Sequence, residues 1–240
     1  MTFKTLTVIM AAYNEVKTIR TVIENILKKK IDSVEIDLII VESNSFDGTK
    51  EIVQEYENHS KIRIIWQSHP QGKGYAIRSA FSLVTSDYIL IQDADNEYDI
   101  EDYDALLAPL IMKKTQFVLG ARQGHFWNIR KFSNQPLLTL FMNSGHVFFT
   151  FLINKILKLK LKDPFTMYKV FCTQCINNLT FECNRFDFDH ELLIKLVKNG
   201  YIPIEIPVRY QSRSFKEGKK INIIRDPLTW LIVIIRLTLR

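Results

Sequence analysis

Cysteine and glycine are scarce in this 240-residue chain, which contains three cysteines, eight glycines and seven prolines. The low glycine and proline content excludes a collagen-like or low-complexity protein. A small, odd number of cysteines excludes a disulfide framework and favours a reducing compartment. The spacing of Cys172 and Cys175 fits a zinc or redox pair, but no second pair with metal-ligand spacing follows. We therefore interpret both as small buried hydrophobic residues.

A strong charge imbalance is also missing, since 32 Lys and Arg residues face 26 Asp and Glu residues and leave a net charge of +6. This modest excess predicts an anionic partner, which is a phosphorylated ligand, an anionic membrane surface or nucleic acid. The basic residues are dispersed and match no known nucleic-acid recognition motif. We therefore expect no nucleic-acid partner.

Strand and helix signals alternate through the first half of the sequence. Apolar runs predict strands at 6–10, 36–41, 62–66, 88–91 and 117–120, and helical spacing predicts intervening helices at 16–29, up to 56, 72–83 and 100–112. Continuous apolar strands that alternate with helices indicate an α/β fold, with a mostly parallel, Rossmann-like central sheet and flanking helices. Ligands of such sheets bind outside the carboxyl ends of the strands.

The second half contains a stretch, 132–154, without Asp, Glu, Lys or Arg. Its Asn, Gln, Pro, Gly and His residues make a poor membrane-spanning helix, and the pattern also fits an interfacial amphipathic helix near 136–157 or a core helix. The four lysines that follow suit anionic lipid headgroups or a solvated helix face: Lys155, Lys158, Lys160 and Lys162. The apolar tail 227–239 is a packed terminal helix or a second membrane contact.

Two carboxylates follow the strand 88–91, in the segment Gln92-Asp93-Ala94-Asp95-Asn96-Glu97. Carboxylates two residues apart at a strand end can point into one cleft, where their oxygens suit Mg²⁺ or Mn²⁺. Such a metal would neutralise the charge of a departing nucleotide diphosphate. The same pair also fits an acidic turn before a helix, and we expect Asp99 and Glu101 to act as helix N-terminal charges.

Three further polar or glycine-rich turns follow the neighbouring strands. They are Ala11-Ala12-Tyr13-Asn14-Glu15, the segment from Glu42 to Thr49, and Gly72-Lys73-Gly74. Each turn alone fits a helix cap or a simple turn. Because the carboxyl ends of parallel strands meet at one edge of the sheet, we predict that these turns and the Asp pair form a nucleotide pocket.

In the order of these motifs the sequence resembles family 2 glycosyltransferases with the GT-A fold. The resemblance continues through Gly120-Ala121-Arg122, the segment from Asp163 to Tyr168, and the segment from Phe186 to Leu192. It is most similar to the branch containing polyprenol-phosphate mannosyl- and glucosyltransferases. In that branch a basic motif follows a late strand, and the segment 213–220 occupies the matching place here.

The resemblance implies four groups of site residues. The implied metal ligands are Asp93, Asp95 and Glu97, and the implied donor contacts are Ala12, Tyr13, Glu15, Glu42, Lys73 and Asp93. The implied acceptor and phosphate contacts are Arg122, Arg130, Asp163, Arg213 and Lys219, and the implied catalytic residues are Asp95, Asp189 and Arg122. Glu42 stands where the family usually has Asp, which leaves recognition of the donor base open. Lys216 and Lys220 are expected on a solvated surface.

The implied reaction is metal-dependent, inverting transfer from a UDP- or GDP-linked sugar to a polyprenyl or dolichyl phosphate. A phosphate acceptor is an anionic nucleophile and needs no general base. A hydroxyl of a lipid-linked glycan or surface polysaccharide would need one, for which Asp163, Asp189 and Glu191 are candidates. A nucleotidyltransferase is disfavoured because no Gly-rich loop with Arg and Lys follows the first strand. A non-catalytic nucleotide-sugar-binding protein is the remaining alternative.

The whole chain, 1–240, is expected to form one domain. The nucleotide-sugar half is expected to span about 1–122, and the acceptor half about 123–240. The enzyme is expected to be cytoplasmic and peripheral at the cytosolic face of a membrane. A second copy of the chain or a membrane protein is a further partner that the sequence leaves open.

Overall fold

The computed structural model describes residues 3–122, 136–213, 220, 222 and 225–239. Arg130 and Lys219, two of the implied phosphate contacts, lie outside the described residues. Lys216 lies outside them as well.

The described residues build one seven-stranded sheet. Its strands are β1 (Lys4–Ala12), β2 (Val34–Glu42), β3 (Ile62–Trp66), β4 (Tyr88–Asp93), β5 (Phe117–Arg122), β6 (Lys169–Cys172) and β7 (Ile204–Val208). They lie in the order β3-β2-β1-β4-β6-β5-β7. β6 is antiparallel to β4 and β5, whereas the other neighbouring strands pair in parallel. The α/β fold with a mostly parallel sheet is therefore confirmed.

The helices of the described part are α1 (Ile19–Lys28), α2 (Thr49–Gln54), α3 (Lys73–Ala80), α4 (Tyr103–Ile111), α5 (Pro136–Leu157), α6 (Phe188–Lys198) and α7 (Arg225–Leu239). The first helix starts three residues later than its apolar pattern predicts. The reason is that the Glu15 and Val16 N–H groups donate to the turn after β2 at 2.7 and 3.1 Å. As predicted, Asp99 caps the turn before α4 by accepting the Glu101 N–H at 2.9 Å.

Both faces of the central strands are covered. Consecutive residues of a strand point to opposite faces, and Val8, Ile9 and Met10 of β1 are all fully buried. Helix α1 contributes a stripe at helical spacing, in which Ile19 and Ile23 are fully buried. Burial on both faces explains why the parallel strands read as continuous apolar runs in the sequence.

The sheet order creates a crevice beside β1. β1 pairs with β2 on one side and with β4 on the other, so the chain changes direction across the sheet at this point. Ligands of open α/β sheets bind at such a switch point, outside the carboxyl ends of the strands. Ala12, Glu42 and Asp93 are the last residues of β1, β2 and β4, so the predicted motifs lie along this edge.

Helices α5 and α7 each combine a packed face with an exposed apolar face. Phe149 of α5 contacts Trp230 of α7, with ring centroids 5.7 Å apart. The exposed apolar side chains are Leu137, Leu140, Phe141, Phe148 and Phe151 on α5, and Leu228, Ile232, Ile235 and Leu239 on α7. Thr139–Leu157 is long and apolar enough to cross a membrane by length and composition, and 33% of that stretch is buried in the protein.

Candidate active site

A cavity of about 650 Å³ opens at the carboxyl ends of β1 and β4. This is a normal volume for a small-molecule site. It is lined by most of the residues that the sequence implied: Ala12, Tyr13, Glu15, Lys73, Asp93, Asp95, Glu97, Arg122, Asp189 and Arg213. Glu42 and Asp163 are not among the residues that line it.

Hydrogen bonds hold the turns after β1 and β2 together. The Asn14 N–H donates to Ser45 Oγ at 2.9 Å, and the Asn14 side chain accepts the Phe46 N–H at 3.1 Å. Glu42 is fully buried and accepts the N–H groups of Asn44 and Ser45 at 2.9 and 2.8 Å. Glu42 thus shapes the turn behind the cavity and does not line the cavity itself.

Arg213 joins three carboxylates on one wall of the cavity. Its guanidinium lies 2.7 Å from Glu15 and 2.5 Å from Asp95, and its backbone N–H donates to Glu97 at 2.8 Å. Burial, followed by the nearby charges of Asp93 and Glu97, raises the pKa of Asp95 to about 7, although Arg213 opposes the shift. The three carboxylates therefore concentrate negative charge on this wall, and Arg213 neutralises part of it.

Lys73 forms an ion pair with Asp93 in the same cavity. Burial alone would lower the pKa of Lys73, but the charges of Asp93 and Asp189 outweigh it and raise that pKa. Gly72 and Gly74 permit this placement, because a Cβ on either would collide with the chain between Cys183 and Phe188. Gly72 also has a φ of +103°, a backbone conformation that residues other than glycine rarely adopt.

Arg122 and Asp163 form a buried ion pair. Asp163 accepts from Arg122 Nε at 2.6 Å, from its Nη2 at 2.7 Å and from its backbone N–H at 3.1 Å. Asp163 was implied as an acceptor contact and as a candidate base, but its carboxylate is occupied by Arg122 and does not line the cavity. Arg122 does line the cavity, and it also contacts the Tyr210 ring at 5.1 Å.

The remaining base candidates have different surroundings. Glu191 is fully buried and accepts the N–H groups of Glu182 and Cys183 at 3.0 and 2.8 Å, so it holds the segment before α6. Asp189 lines the cavity, and its Oδ1 has no hydrogen-bond partner among the described residues. Burial raises the pKa of Asp189. Asp189 is therefore the candidate of the three that has a carboxylate oxygen to offer a ligand.

Several residues that line the cavity were missed by the sequence analysis. Lys220 is exposed, as expected, but its Nζ also lies 2.5 Å from Glu15, and it lines the cavity. Phe165, His190 and Trp230 also line it. Phe165 and His190 lie within two of the segments that carry the family resemblance, but neither was singled out there, and Trp230 lies in no such segment.

The carboxylate cluster has the donor chemistry of a hard-cation site. Within residues 3–122, 136–213 and 225–239, however, no three His, Cys, Asp or Glu side chains lie together in a group able to hold a metal ion. Asp93 is engaged by Lys73, and Glu97 accepts from the Tyr210 hydroxyl at 2.7 Å. A cation here would thus be held by one or two carboxylates and complete its shell with ligand phosphates, which is usual for Mg²⁺.

Comparison with known proteins gives a consistent family assignment. Residues 7–179 match the family described as glycosyl transferase family 2. The UDP-N-acetylglucosamine–dolichyl-phosphate N-acetylglucosaminyltransferase of Methanococcus voltae is 27% identical over 244 residues, which cover 93% of each chain. A dolichyl-phosphate beta-glucosyltransferase of Trichomonas vaginalis is 30% identical, over 91% of this chain and 68% of the relative.

A solved structure provides a comparison of the fold. Glucosyl-3-phosphoglycerate synthase from Mycobacterium tuberculosis, in complex with Mg²⁺ and UDP, aligns with a TM-score of 0.69 and 19% identity. The alignment covers 98% of this chain and 79% of that one. At this identity the likeness concerns the fold.

Proposed function

Because the chain belongs to glycosyl transferase family 2 and is a glycosyltransferase with the GT-A fold, we propose that it transfers a sugar from a nucleotide-sugar to a polyprenyl phosphate. The relatives from Methanococcus voltae and Trichomonas vaginalis are named as transferases that act on dolichyl phosphate, which supports this class of acceptor. Their names specify two different sugars, N-acetylglucosamine and glucose, so they do not identify the donor sugar of this chain. We further propose that 1–122 binds the nucleotide of the donor and that the acceptor site lies within 123–240.

One observation carries the proposal. Carboxylates and cations alternate around a single cavity at the switch point of the sheet, where Asp93 faces Lys73 and Asp95 faces Arg213. A nucleotide-sugar and a lipid phosphate are both anionic, and both need cations at the reacting centre. The cations of the described residues that line this cavity are Lys73, Arg122, Arg185, Arg213, Lys220 and Arg225.

The donor diphosphate is expected beside Asp93 and Asp95. These two residues would hold Mg²⁺ or Mn²⁺, which when bound would neutralise charge on the leaving diphosphate, whereas Glu97 accepts from the Tyr210 hydroxyl and the Arg213 N–H. Lys73 and Arg213 lie next to the same carboxylates and would add fixed positive charge. Fixed charges in a water-poor site stabilise developing charge without the reorganisation that water would need.

The transfer step is expected to invert the anomeric carbon. An oxygen of the acceptor phosphate forms the new bond to that carbon, while the bond to the diphosphate oxygen breaks and the diphosphate leaves with the electron pair. The acceptor oxygen is already anionic, so no residue has to remove a proton. Arg122 lines the cavity and is held in place by Asp163, which suits it to orient a phosphate.

A hydroxyl acceptor on a lipid-linked glycan is the second candidate, and it is favoured by the free Oδ1 of Asp189. That oxygen would serve as the general base that a hydroxyl requires. Burial raises the pKa of Asp189, which makes its carboxylate a stronger base than an ordinary aspartate. The two candidates differ in the chemical nature of the acceptor, and one assay separates them.

The decisive assay combines UDP-, GDP- and dTDP-sugars with Mg²⁺ or Mn²⁺ and the full chain. The acceptor is either a short polyprenyl phosphate or a polyprenyl diphosphate that carries a sugar. We expect release of the nucleoside diphosphate and a lipid-phosphate-linked sugar with the first acceptor. Product with the glycan acceptor alone would establish the second candidate, and no turnover with any donor would refute glycosyl transfer.

We also propose that the exposed apolar faces of α5 and α7 rest on a membrane surface. A peripheral enzyme for a lipid phosphate must lie at the membrane, and the two helices neighbour each other through Phe149 and Trp230. Four lysines in the last turn of α5 and just after it are exposed and suit anionic headgroups: Lys155, Lys158, Lys160 and Lys162. The buried face of α5 contains polar Asn143 and His146, which favours an interfacial position over a spanning one.

Substitution of Phe151 or Ile232 by glutamate should weaken this membrane contact. Each side chain is mostly exposed in the protein, so the fold should be retained. Burying one large apolar side chain in lipid contributes about 1.5–3 kcal/mol, so each change should weaken vesicle binding by at least about tenfold. Binding is measured by sedimentation with vesicles of phosphatidylcholine and phosphatidylserine.

Met112→Glu is the matched control for this measurement. Met112 is an exposed apolar residue at the end of α4, near the start of β5 and hence at the opposite edge of the sheet from the cavity. It should leave vesicle binding unchanged. Unchanged binding by the α5 and α7 variants, with loss of self-association instead, would show that these faces contact a second copy of the chain.

A further inference from the structure

Three aromatic rings form a compact niche in the cavity wall. Phe165, His190 and Trp230 contact one another, with ring centroids 4.6, 5.5 and 5.4 Å apart, and all three line the cavity. They come from the segment before β6, from α6 and from α7. We name this set the ring niche.

Two polar atoms of the ring niche have no hydrogen-bond partner among the described residues. They are Trp230 Nε1 and His190 Nδ1, and both atoms are buried. His190 is 1% exposed and Trp230 is 8% exposed. Buried polar atoms normally have hydrogen-bond partners. The two unpaired nitrogens therefore indicate that a bound ligand supplies the missing partners.

The hydrogen-bonding capacity of the two atoms is defined. The indole N–H of Trp230 can only donate. Burial, and then the charges of Lys169 and His146, lowers the pKa of His190 to about 3, so its ring is neutral at physiological pH. A neutral imidazole carries one donor and one acceptor nitrogen. The ring niche thus offers a donor and an adaptable second nitrogen on an apolar, aromatic surface.

We propose that the ring niche binds the acetamido group of a nucleotide-linked 2-acetamido sugar, an inference that rests on the proposed glycosyl transfer. An acetamido group has one carbonyl, one N–H and one methyl group. The Trp230 N–H donates to the carbonyl, His190 pairs with the N–H, and the methyl group packs on Phe165. No simpler part of a hexose matches all three features.

The location of the ring niche suits the sugar end of the donor. Asp189 precedes His190, and it interacts electrostatically with Lys73 and Asp93. The niche therefore lies next to the place where the donor diphosphate is expected. The isoprenoid chain of the acceptor is the competing occupant, but it has no hydrogen-bonding group and would leave both nitrogens unpaired.

The test compares UDP-N-acetylglucosamine with UDP-glucose as donors for the wild-type chain and for Trp230→Phe. The phenylalanine keeps an aromatic ring and removes the indole N–H. We expect wild type to prefer the acetamido donor, and the variant to lose about tenfold in kcat/KM for that donor alone, the effect of one unmade buried hydrogen bond. Donor binding by titration calorimetry should show the same loss of preference.

His190→Leu is the second variant, for use if Trp230→Phe proves unstable in thermal melting. It should reduce the same donor preference. Trp66→Phe is the matched control, because Trp66 is partly exposed on β3 and does not line the cavity. No turnover with any donor would refute the proposed function. Turnover with an unchanged donor ratio, or a change confined to KM for polyprenyl phosphates of different length, would overturn the acetamido assignment.

Discussion

Replacement of Asp95 by asparagine is expected to reduce kcat/KM for glycosyl transfer by about a thousandfold, which corresponds to about 4 kcal/mol of lost transition-state stabilisation. The amide has nearly the same shape as the carboxylate but lacks its charge. A neutral residue at this position cannot help to hold a divalent cation beside the leaving diphosphate. The dependence of nucleoside diphosphate release on Mg²⁺ or Mn²⁺ concentration measures the loss.

The fold should survive this change. Asp95 accepts one backbone N–H, from Glu97 at 3.0 Å, and an amide oxygen can accept it as well. Arg213 keeps Glu15 and Glu97 as partners. Asp32→Asn is the matched control, because Asp32 is exposed just before β2 and so lies at the opposite edge of the sheet. Metal-dependent turnover that persists in the Asp95 variant would remove Asp95 from the metal site.

Much of the fold was predictable because strands that are buried on both faces appear in the sequence as continuous apolar runs. The strand 62–66 was predicted with its observed bounds, and the helix at 136–157 was as well. The absence of charge marks α5, and Pro136 suits a first helical position. The direction of β6 was not predictable, since a short apolar run does not encode whether its partners run parallel or antiparallel.

The positions of the carboxylates were predictable, but their partners were not. Asp93 and Asp95 line the cavity as expected, since β4 ends there. Glu42 also ends a strand, yet it is buried under its own turn. A carboxylate that holds a backbone turn and one that faces a ligand look the same in a sequence, and only the path of the chain separates them.

The ring niche was even less predictable from the sequence than the partners of the carboxylates. Phe165, His190 and Trp230 come from three separate elements and share no spacing that marks a site. Trp230 lies in an apolar tail whose pattern predicts a packed or membrane-bound helix. The structure gives that helix two roles, because one face carries Trp230 into the cavity while the other exposes Ile232 and Leu239.

Replacement of Asp163 by asparagine is expected to have the largest effect on stability. Arg122 and Asp163 have side chains only 4% and 2% exposed, and they are joined by two short hydrogen bonds. Removal of one partner leaves an uncompensated buried charge, which should lower the free energy of unfolding by about 3–5 kcal/mol at pH 7. Urea unfolding followed by circular dichroism measures the difference.

The pH dependence of this loss follows from the same pair. Burial alone would raise the pKa of Asp163, but Arg122 outweighs burial and holds that pKa well below its ordinary value. A depressed pKa stabilises the folded state above the unfolded value of about 4, and this contribution disappears as the pH falls toward the folded pKa. The difference between wild type and variant should therefore stay constant from pH 8 to about 6 and shrink below about pH 4.

Two further variants show whether the loss comes from the buried charge. Glu55→Gln breaks the exposed ion pair with Arg20 and should change the stability little, because solvent screens that pair. Arg122→Met combined with Asp163→Leu removes both buried charges and should recover part of the stability lost by the single change. If the double variant is as unstable as Asp163→Asn, the pair acts through its hydrogen bonds to the backbone and not through charge. If it folds but transfers no sugar, Arg122 is required at the reacting phosphate as well as in the core.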